Sequence, residues 1–300
     1  MANTKSLDLE LSSSQYASIA DGSQTGLDIT GNISIEAWIK IEQLPSTAGS
    51  SFYIISKEQV NDRSYGLKLS GSNDKLVMYY FSDVSDFTRY NSDDSFVDAD
   101  DVGTWIHIAI SVNVSAKTVQ MYKNGSPINS TSDSLLSISI LDTSSKFSIG
   151  ESYGGDYFDG LIDEVRVWND IRTGTEISDN YEKELVGDEA GLVGYWQFND
   201  DYLDQTSNDN DLTASGSPTF SSDVPFTGSL TLVVDTMALS LTFSDIVLKK
   251  AITLATDTMA LLLDFKDVIL KSTSWTNDTK PSDSWTNDTK PSDSWTNDSK

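Results

Sequence analysis

Two stretches of strict period-two alternation constrain what this chain can fold into. In Ile33–Ile41, the residues Ile33, Ile35, Ala37, Ile39 and Ile41 form one aliphatic row opposite Ser34, Glu36, Trp38 and Lys40. In Thr104–Val114, the row is Ile106, Ile108, Ile110, Val112 and Val114, opposite Trp105, His107, Ala109 and Ser111. A helix would scatter such residues around its circumference, whereas a strand sends them all to one buried face. Ser6–Leu11, Gln15–Ala20, Tyr53–Lys57, Ser64–Leu69, Lys75–Phe81 and Leu192–Phe198 also read as strands. Gly, Asn, Asp and Ser clusters between them supply turns, and Lys123–Asn124–Gly125 supplies a hairpin turn. Only Thr173–Lys183, with Ile177 and Tyr181 four apart, reads as a short helix. The expected fold class is all-β.

The most specific segment is Gly160–Asn169, GLIDEVRVWN. An unbroken strand here would place Leu161, Asp163, Val165 and Val167 on one face. Ile162, Glu164, Arg166 and Trp168 would take the other. Asp163 is then a carboxylate among aliphatic side chains, and burial obliges it to find backbone donors, an arginine or a metal ion.

Composition narrows the function classes. The chain has 300 residues, 38% hydrophobic and 10% aromatic, enough to bury a core. Twenty basic against 46 acidic side chains give a formal charge of −26. That balance repels nucleic-acid phosphates and anionic lipid, and leaves cations and neutral glycans as natural partners. With no cysteine and one histidine, disulfides and thiolate sites are excluded and zinc is disfavoured. Oxygen-ligated calcium stays open. No leader segment and no apolar run of membrane-spanning length is visible. That points to a partial sequence or to a particle released by lysis, as a virion is. Residues 82–101 carry seven aspartates and no lysine and read as a long acidic loop, either solvated or holding cations.

From Thr227 onward the character changes. Ser229–Lys250 and Ala251–Ser272 are copies of one 22-residue unit, matching Asp235 to Asp257, Met237 to Met259 and Phe243 to Phe265. Two units are too few to bury a repeat core, so their partners are expected to be other chains. The last stretch repeats SWTNDTKPSD every ten residues and sets Trp275, Trp285 and Trp295 in equivalent places. Regular indoles on a polar tail point to an assembly contact.

GLIDEVRVWN, NISIEAWIKI (Asn32–Ile41), GTWIHIAISVN (Gly103–Asn113), VQMYKNG (Val119–Gly125) and FSIG (Phe147–Gly150) together resemble the laminin-G-like, concanavalin-A-like jelly-roll family, over roughly residues 6–200. The resemblance implies an antiparallel jelly-roll β-sandwich over residues 1–226. A short β-repeat segment (227–272) and a low-complexity tail (273–300) follow it. It also implies glycan or protein binding at a surface and a structural Ca2+, for which Asp8, Asp163 and the loop with Asp204, Asp209 and Asp211 match in place. Hydrolases of that superfamily carry E-x-D-x-E or E-x-D-x-x-E on one strand face. Neither spacing occurs here, so no enzyme is expected.

The expected glycan face joins Trp38, Trp105 and Trp168 with Glu36, His107 and Arg166, which share the non-aliphatic sides of their strands. The competing expectation covers those tryptophans with loops, and for His107 a structural role outweighs a catalytic one. The function expected is a surface-displayed recognition or decoration module that binds a glycan or surface receptor. It would belong to a multi-chain assembly such as a phage virion or tail appendage, through the repeats. The alternatives are a cell-surface or secreted adhesin and a polysaccharide hydrolase.

Overall fold

The computed structural model describes residues 3–83, 86–132 and 139–226. The repeat segments 227–272 and 273–300 lie outside the described residues, and with them Phe243, Phe265, Trp275, Trp285 and Trp295.

Sixteen strands follow in order among the described residues. They are β1 (Ser6–Leu9), β2 (Tyr16–Ile19), β3 (Ile33–Ile41), β4 (Phe52–Gln59), β5 (Asp62–Leu69), β6 (Leu76–Phe81), β7 (Phe87–Ser92) and β8 (Ile106–Asn113). The second half comprises β9 (Thr118–Lys123), β10 (Ser126–Ile128), β11 (Ser130–Ser132), β12 (Phe147–Ile149), β13 (Gly160–Trp168), β14 (Leu192–Trp196), β15 (Thr213–Ser215) and β16 (Thr219–Ser221). Two short α-helices, α1 (Pro45–Ala48) and α2 (Gly174–Asn180), and two single 3-10 turns, Leu11–Ser13 and Asp21–Ser23, complete the set. One sheet runs β10-β9-β8-β3-β13-β1-β16, with β14 also paired to β13. The other runs β11-β7-β6-β5-β4-β12-β2-β15. The pairings are antiparallel, and the crossovers between the sheets give a jelly-roll sandwich.

The aliphatic rows of β3 and β8 meet residue for residue, Ile35 against Ile110 and Ile39 against Ile106. They face Ile54, Leu67, Met78, Tyr80 and Phe147 of the second sheet in one continuous core. Burial of these side chains, each contributing about 1.5–3 kcal/mol, is the main force closing the sandwich. The β9–β10 hairpin turns on Asn124 and Gly125, at φ 51° and 74°, the positive angles a tight two-residue turn requires.

Two expectations are corrected here. The acidic stretch 82–101 is not all loop. Its centre is β7, where Thr88, Tyr90 and Ser92 are buried and alternate with Phe87, Arg89 and Asn91, while the aspartates flank it. Nor is β13 an unbroken strand. Asp163 pairs with Trp38 but Arg166 pairs with Glu36, so three steps on β13 match two on β3, and Glu164 takes φ 51°. This bulge switches the phase of the alternation. Ile162, Val165 and Val167 point into the core, while Arg166, Trp168 and both acids are turned outward, Asp163 and Glu164 being held by partners on that side.

Candidate functional site

On the outer face of the first sheet, β3, β8 and β13 bring the predicted glycan residues together. Trp38 opposes His107 across β3–β8, and Glu36 opposes Arg166 across β3–β13. Trp168 Nε1 donates to Glu36 Oε1 at 2.9 Å, and His107 Nε2 lies 3.4 Å from Glu36 Oε2. Arg166 reaches Glu164 at 2.9 Å and Glu36 at 3.8 Å. Tyr195 of β14 donates its hydroxyl to Glu164 at 2.6 Å.

The expectation of an open glycan surface fails at this point. Trp38, Trp168, His107, Glu36 and Arg166 are all buried, none above 6% exposed. The cover is α2 and the chain just after it. Ile177 packs on Ala109 and Tyr122, Tyr181 stacks on Trp38 at 5.8 Å, and its carbonyl accepts from Trp38 Nε1. Arg166 donates to the Asn180 and Lys183 carbonyls. Trp38 and Arg166 therefore fasten the end of α2 to the sheet, His107 packs on Tyr181, and Glu36 ties Trp168, His107 and Arg166 together beneath it. Trp105, partly exposed, lies apart from them and donates to Asp223 at 2.8 Å.

The electrostatics fit a closed scaffold. Burial works to raise the Glu36 carboxyl, but His107, Arg166 and Trp168 together outweigh it and hold the group below the usual carboxylate range. Burial lowers His107 against the opposing pull of Glu36. Burial and each other's charge raise Asp163, and burial raises Glu164. A crevice of about 110 Å3 between α2 and Trp168 reaches Glu36 and is the narrow opening on this side.

The residues proposed for calcium do not gather. Asp163 is buried, and its oxygens accept from Asn3 Nδ2 and from the Glu164 amide, both at 2.8 Å. Asp204 accepts from the amides of Tyr195, Thr206 and Asn210 and from the Thr206 hydroxyl. Those four donors fill the roughly four lone-pair directions of a carboxylate, so Asp204 ties its own loop together. Asp211 accepts from the Asp204 amide, and Asp209 is exposed. Asp8 sits with Glu10 and Glu42 instead, each offering an oxygen within 4.8 Å of the others at the surface.

The other sheet carries a wider cleft, whose floor rings Tyr53, Tyr79 and Phe81 are themselves only 7–8% exposed. A cleft of about 410 Å3 lies along the outer side of β4, β5, β6 and β7, walled by residues 152–156. Its floor follows from register. Tyr53 of β4 pairs with Lys68 of β5, whose ammonium lies 4.8 Å over the Tyr53 ring. Gly66 of β5 pairs with Tyr79 of β6, and a side chain at Gly66 would meet the Tyr79 ring, so the phenol lies flat across the strand. Glu58 pairs with Arg63, and Phe81 with Phe87 at 5.6 Å. Arg63 sits between the Phe81 and Tyr153 rings, 5.3 and 4.8 Å from their centres. Arg89 extends over Phe87. Tyr53, Tyr79 and Phe81 are contiguous edge-to-face neighbours, while Phe87 and Tyr153 are more than a third exposed at the rim. Burial raises Glu58 and lowers Lys68. Sequence reasoning missed this site. Its one signal was β6, where Val77, Tyr79 and Phe81 make the face opposite the core as apolar as Leu76, Met78 and Tyr80 make the core face.

The family model for the laminin G type of the concanavalin A-like lectin/glucanases superfamily matches residues 11–178. The chain belongs to this superfamily. Among curated relatives, the adhesion G-protein coupled receptor V1 of Danio rerio is 23% identical over 171 residues, which is 56% of this chain and 3% of the receptor. The chain thus spans a very small part of that relative. Among solved structures, a Bacteroides ovatus protein described as carbohydrate-binding superposes with a TM-score of 0.55 at 16% identity, over 77% of this chain and 63% of that one. At that identity the likeness speaks for the jelly-roll fold of this concanavalin A-like chain. No helix among its described residues is long and apolar enough to cross a membrane.

Proposed function

We propose that this chain is a non-enzymatic recognition module that binds a glycan in the cleft over β4–β7. The observation that carries the reading is the cleft itself. Flat aromatic rings cover its floor and rim, and hydrogen-bonding groups of Glu58, Arg63, Lys68, Arg89 and Asp156 stand between them. Sugar rings present C–H faces that lie on aromatic planes and hydroxyls that need such polar groups. Membership of a superfamily whose name joins lectins with glucanases supports the same reading. The test is a glycan array followed by titration calorimetry of the full chain and of Tyr153→Ala and Phe87→Ala. Both side chains are exposed at the rim, so the fold should survive while affinity falls about tenfold, the ordinary loss for an interface anchor. Unchanged affinity in both variants would remove the site.

A hydrolase reading is favoured by one observation, the raised carboxyl of Glu58 in a cleft that also holds Asp156. Release of reducing ends from a bound glycan, abolished in Glu58→Gln, would establish it. The wider setting we propose is a decoration or adhesion role in a multi-chain particle such as a phage virion, with the repeats after Phe226 as the assembly device. A cellular adhesin is the alternative setting. The identical spacing of Trp275, Trp285 and Trp295 and the 22-residue repeat support self-association. Light scattering of the full chain against a chain ending at Phe226 tests it, with a defined oligomer expected for the first alone.

A further inference from the structure

The acidic balance of the whole chain predicts neutral sugars, yet the cleft has the opposite character. Of the four arginines in the sequence, two, Arg63 and Arg89, line it together with Lys68. Several cations elsewhere are matched to the surplus carboxylates: Lys40 to Asp223, Lys57 to Asp21 and Asp28, Lys123 to Asp101, Arg172 to Glu176. Arg63 and Lys68 are not. Among the described residues neither forms an ion pair, and both are held against aromatic rings. Of the five N–H donors an arginine carries, Arg63 gives one to the Tyr153 hydroxyl. Lys68 gives weak bonds to the Tyr53 and Ser51 hydroxyls, at 3.2 and 3.4 Å.

A guanidinium fixed between two rings is pre-oriented, and it keeps its fork of donors for a planar anion. Two carboxylates temper the charge from within the same cleft. Glu58 stands across from Arg63 in register, and Asp156 is occupied by the Ser50 hydroxyl at 3.0 Å. Three cations and two acids line the cleft, whereas chance placement in a chain with 46 acidic and 20 basic residues favours the reverse.

Resting on the glycan reading above, we propose that the sugar is acidic. A uronate-type carboxylate would be taken by Arg63 and Lys68, with Arg89 at the rim, while the ring it is attached to lies on Tyr79 and Tyr153. A bidentate arginine–carboxylate contact then fixes the orientation of the sugar.

The probes are oligomers of galacturonan, alginate and hyaluronan, each beside the same oligomer with its carboxyl groups chemically reduced to alcohols. Linkage and ring shape are then shared and charge alone differs. Calorimetry on the full chain should show at least one acidic oligomer bound ten times more tightly than its reduced counterpart. The ratio should fall toward one in the double variant Arg63→Gln, Lys68→Gln, and stay at the wild-type value in Lys40→Gln on the other sheet. Retained affinity of the double variant for the reduced oligomer shows that its cleft is intact. If its cleft does not survive, each single variant is measured in the same way, and each should lower the ratio. Equal binding of acidic and reduced oligomers by the wild type overturns the acidic-sugar proposal and leaves the glycan reading standing. A preference that survives loss of both cations also overturns it. Failure of every oligomer, acidic and reduced, to bind overturns the acidic-sugar proposal, while the glycan array decides the glycan reading separately.

Discussion

Gly66 is where a single atom separates a flat cleft floor from a blocked one. A Cβ there would fall 2.2 Å from the Tyr79 hydroxyl and 2.5 Å from its ring carbon, so Gly66→Ala must tilt the phenol up into the cleft. The obstructing ring is packed on Tyr53 and Phe81, so the shift should cost about 1–3 kcal/mol of stability, while glycan affinity should fall roughly tenfold. Calorimetry and thermal melting read the two effects; unchanged affinity would mean that the ring does not tilt into the cleft. Asp163 offers a second residue-scale experiment. Free aspartate and glutamate titrate near 3.8 and 4.5, and in the fold burial raises both Asp163 and Glu164, with each other's charge adding to the rise at Asp163. Between the free and raised values the folded chain holds a proton that the unfolded chain has released, so this pair makes stability fall as pH rises through that window. Asp163→Asn removes one charge and keeps an acceptor for the Glu164 amide. Asn3, whose Oδ1 is buried without a partner, can turn to accept from the new amide. The variant should exceed wild type by about 1 kcal/mol at pH 8, with the gap closing toward pH 4. Urea unfolding at the two pH values reads it, and a gap that widens on acidification contradicts a shared proton.

Helix α2 is seven residues long, too short to persist alone, and three attachments keep it in place. Its start is a reciprocal capping box: Thr173 Oγ1 accepts from the Glu176 amide and Glu176 accepts from the Thr173 amide at 2.8 Å. Its flank is Ile177, and its end is held by Arg166 and Trp38 on the last carbonyls. Thr173→Ala should cost about 1 kcal/mol. Hydrogen exchange should quicken over 174–183 and stay slow in β3 and β8. Uniform quickening would mean that α2 and the sheet open as one unit. The Ile177–Tyr181 spacing made this helix visible in the sequence, and the alternating rows made β3 and β8 visible with their faces. What alternation cannot give is what lies on top of a face. Trp38, His107, Glu36, Arg166 and Trp168 do gather as their spacing implies, but α2 covers them, and no residue of β3 records that. The bulge in β13 was equally hidden, because Glu164 takes a left-handed angle without being Gly, Asn or Asp. The cleft was misread for the converse reason. A strand such as β6, apolar on both faces, normally lies under a second layer, and here the second face is the floor of the cleft.

At the scale of the whole molecule, the net charge of −26 and the cleft cations Arg63 and Lys68 would act on the proposed acidic sugar over different distances. Far from the protein the ligand meets the summed negative field, which slows encounter and is screened beyond a Debye length of about 8 Å at physiological ionic strength. In the cleft it meets Arg63 and Lys68 against aromatic rings, where water is partly excluded and salt screens far less. The two rates should therefore respond to salt through different terms. Raising ionic strength from roughly 20 to 150 mM, a range in which the Debye length shortens about threefold, should increase the association rate constant, because the long-range repulsion weakens. The dissociation rate constant should change less, because the contact pairs are short-range. A protein that attracted its anionic ligand at long range would show the reverse, a falling association rate. Stopped-flow binding of a galacturonan oligomer across that salt range distinguishes the two. An association rate that falls with salt would mean that the cleft cations, and not the acidic body around them, govern the approach.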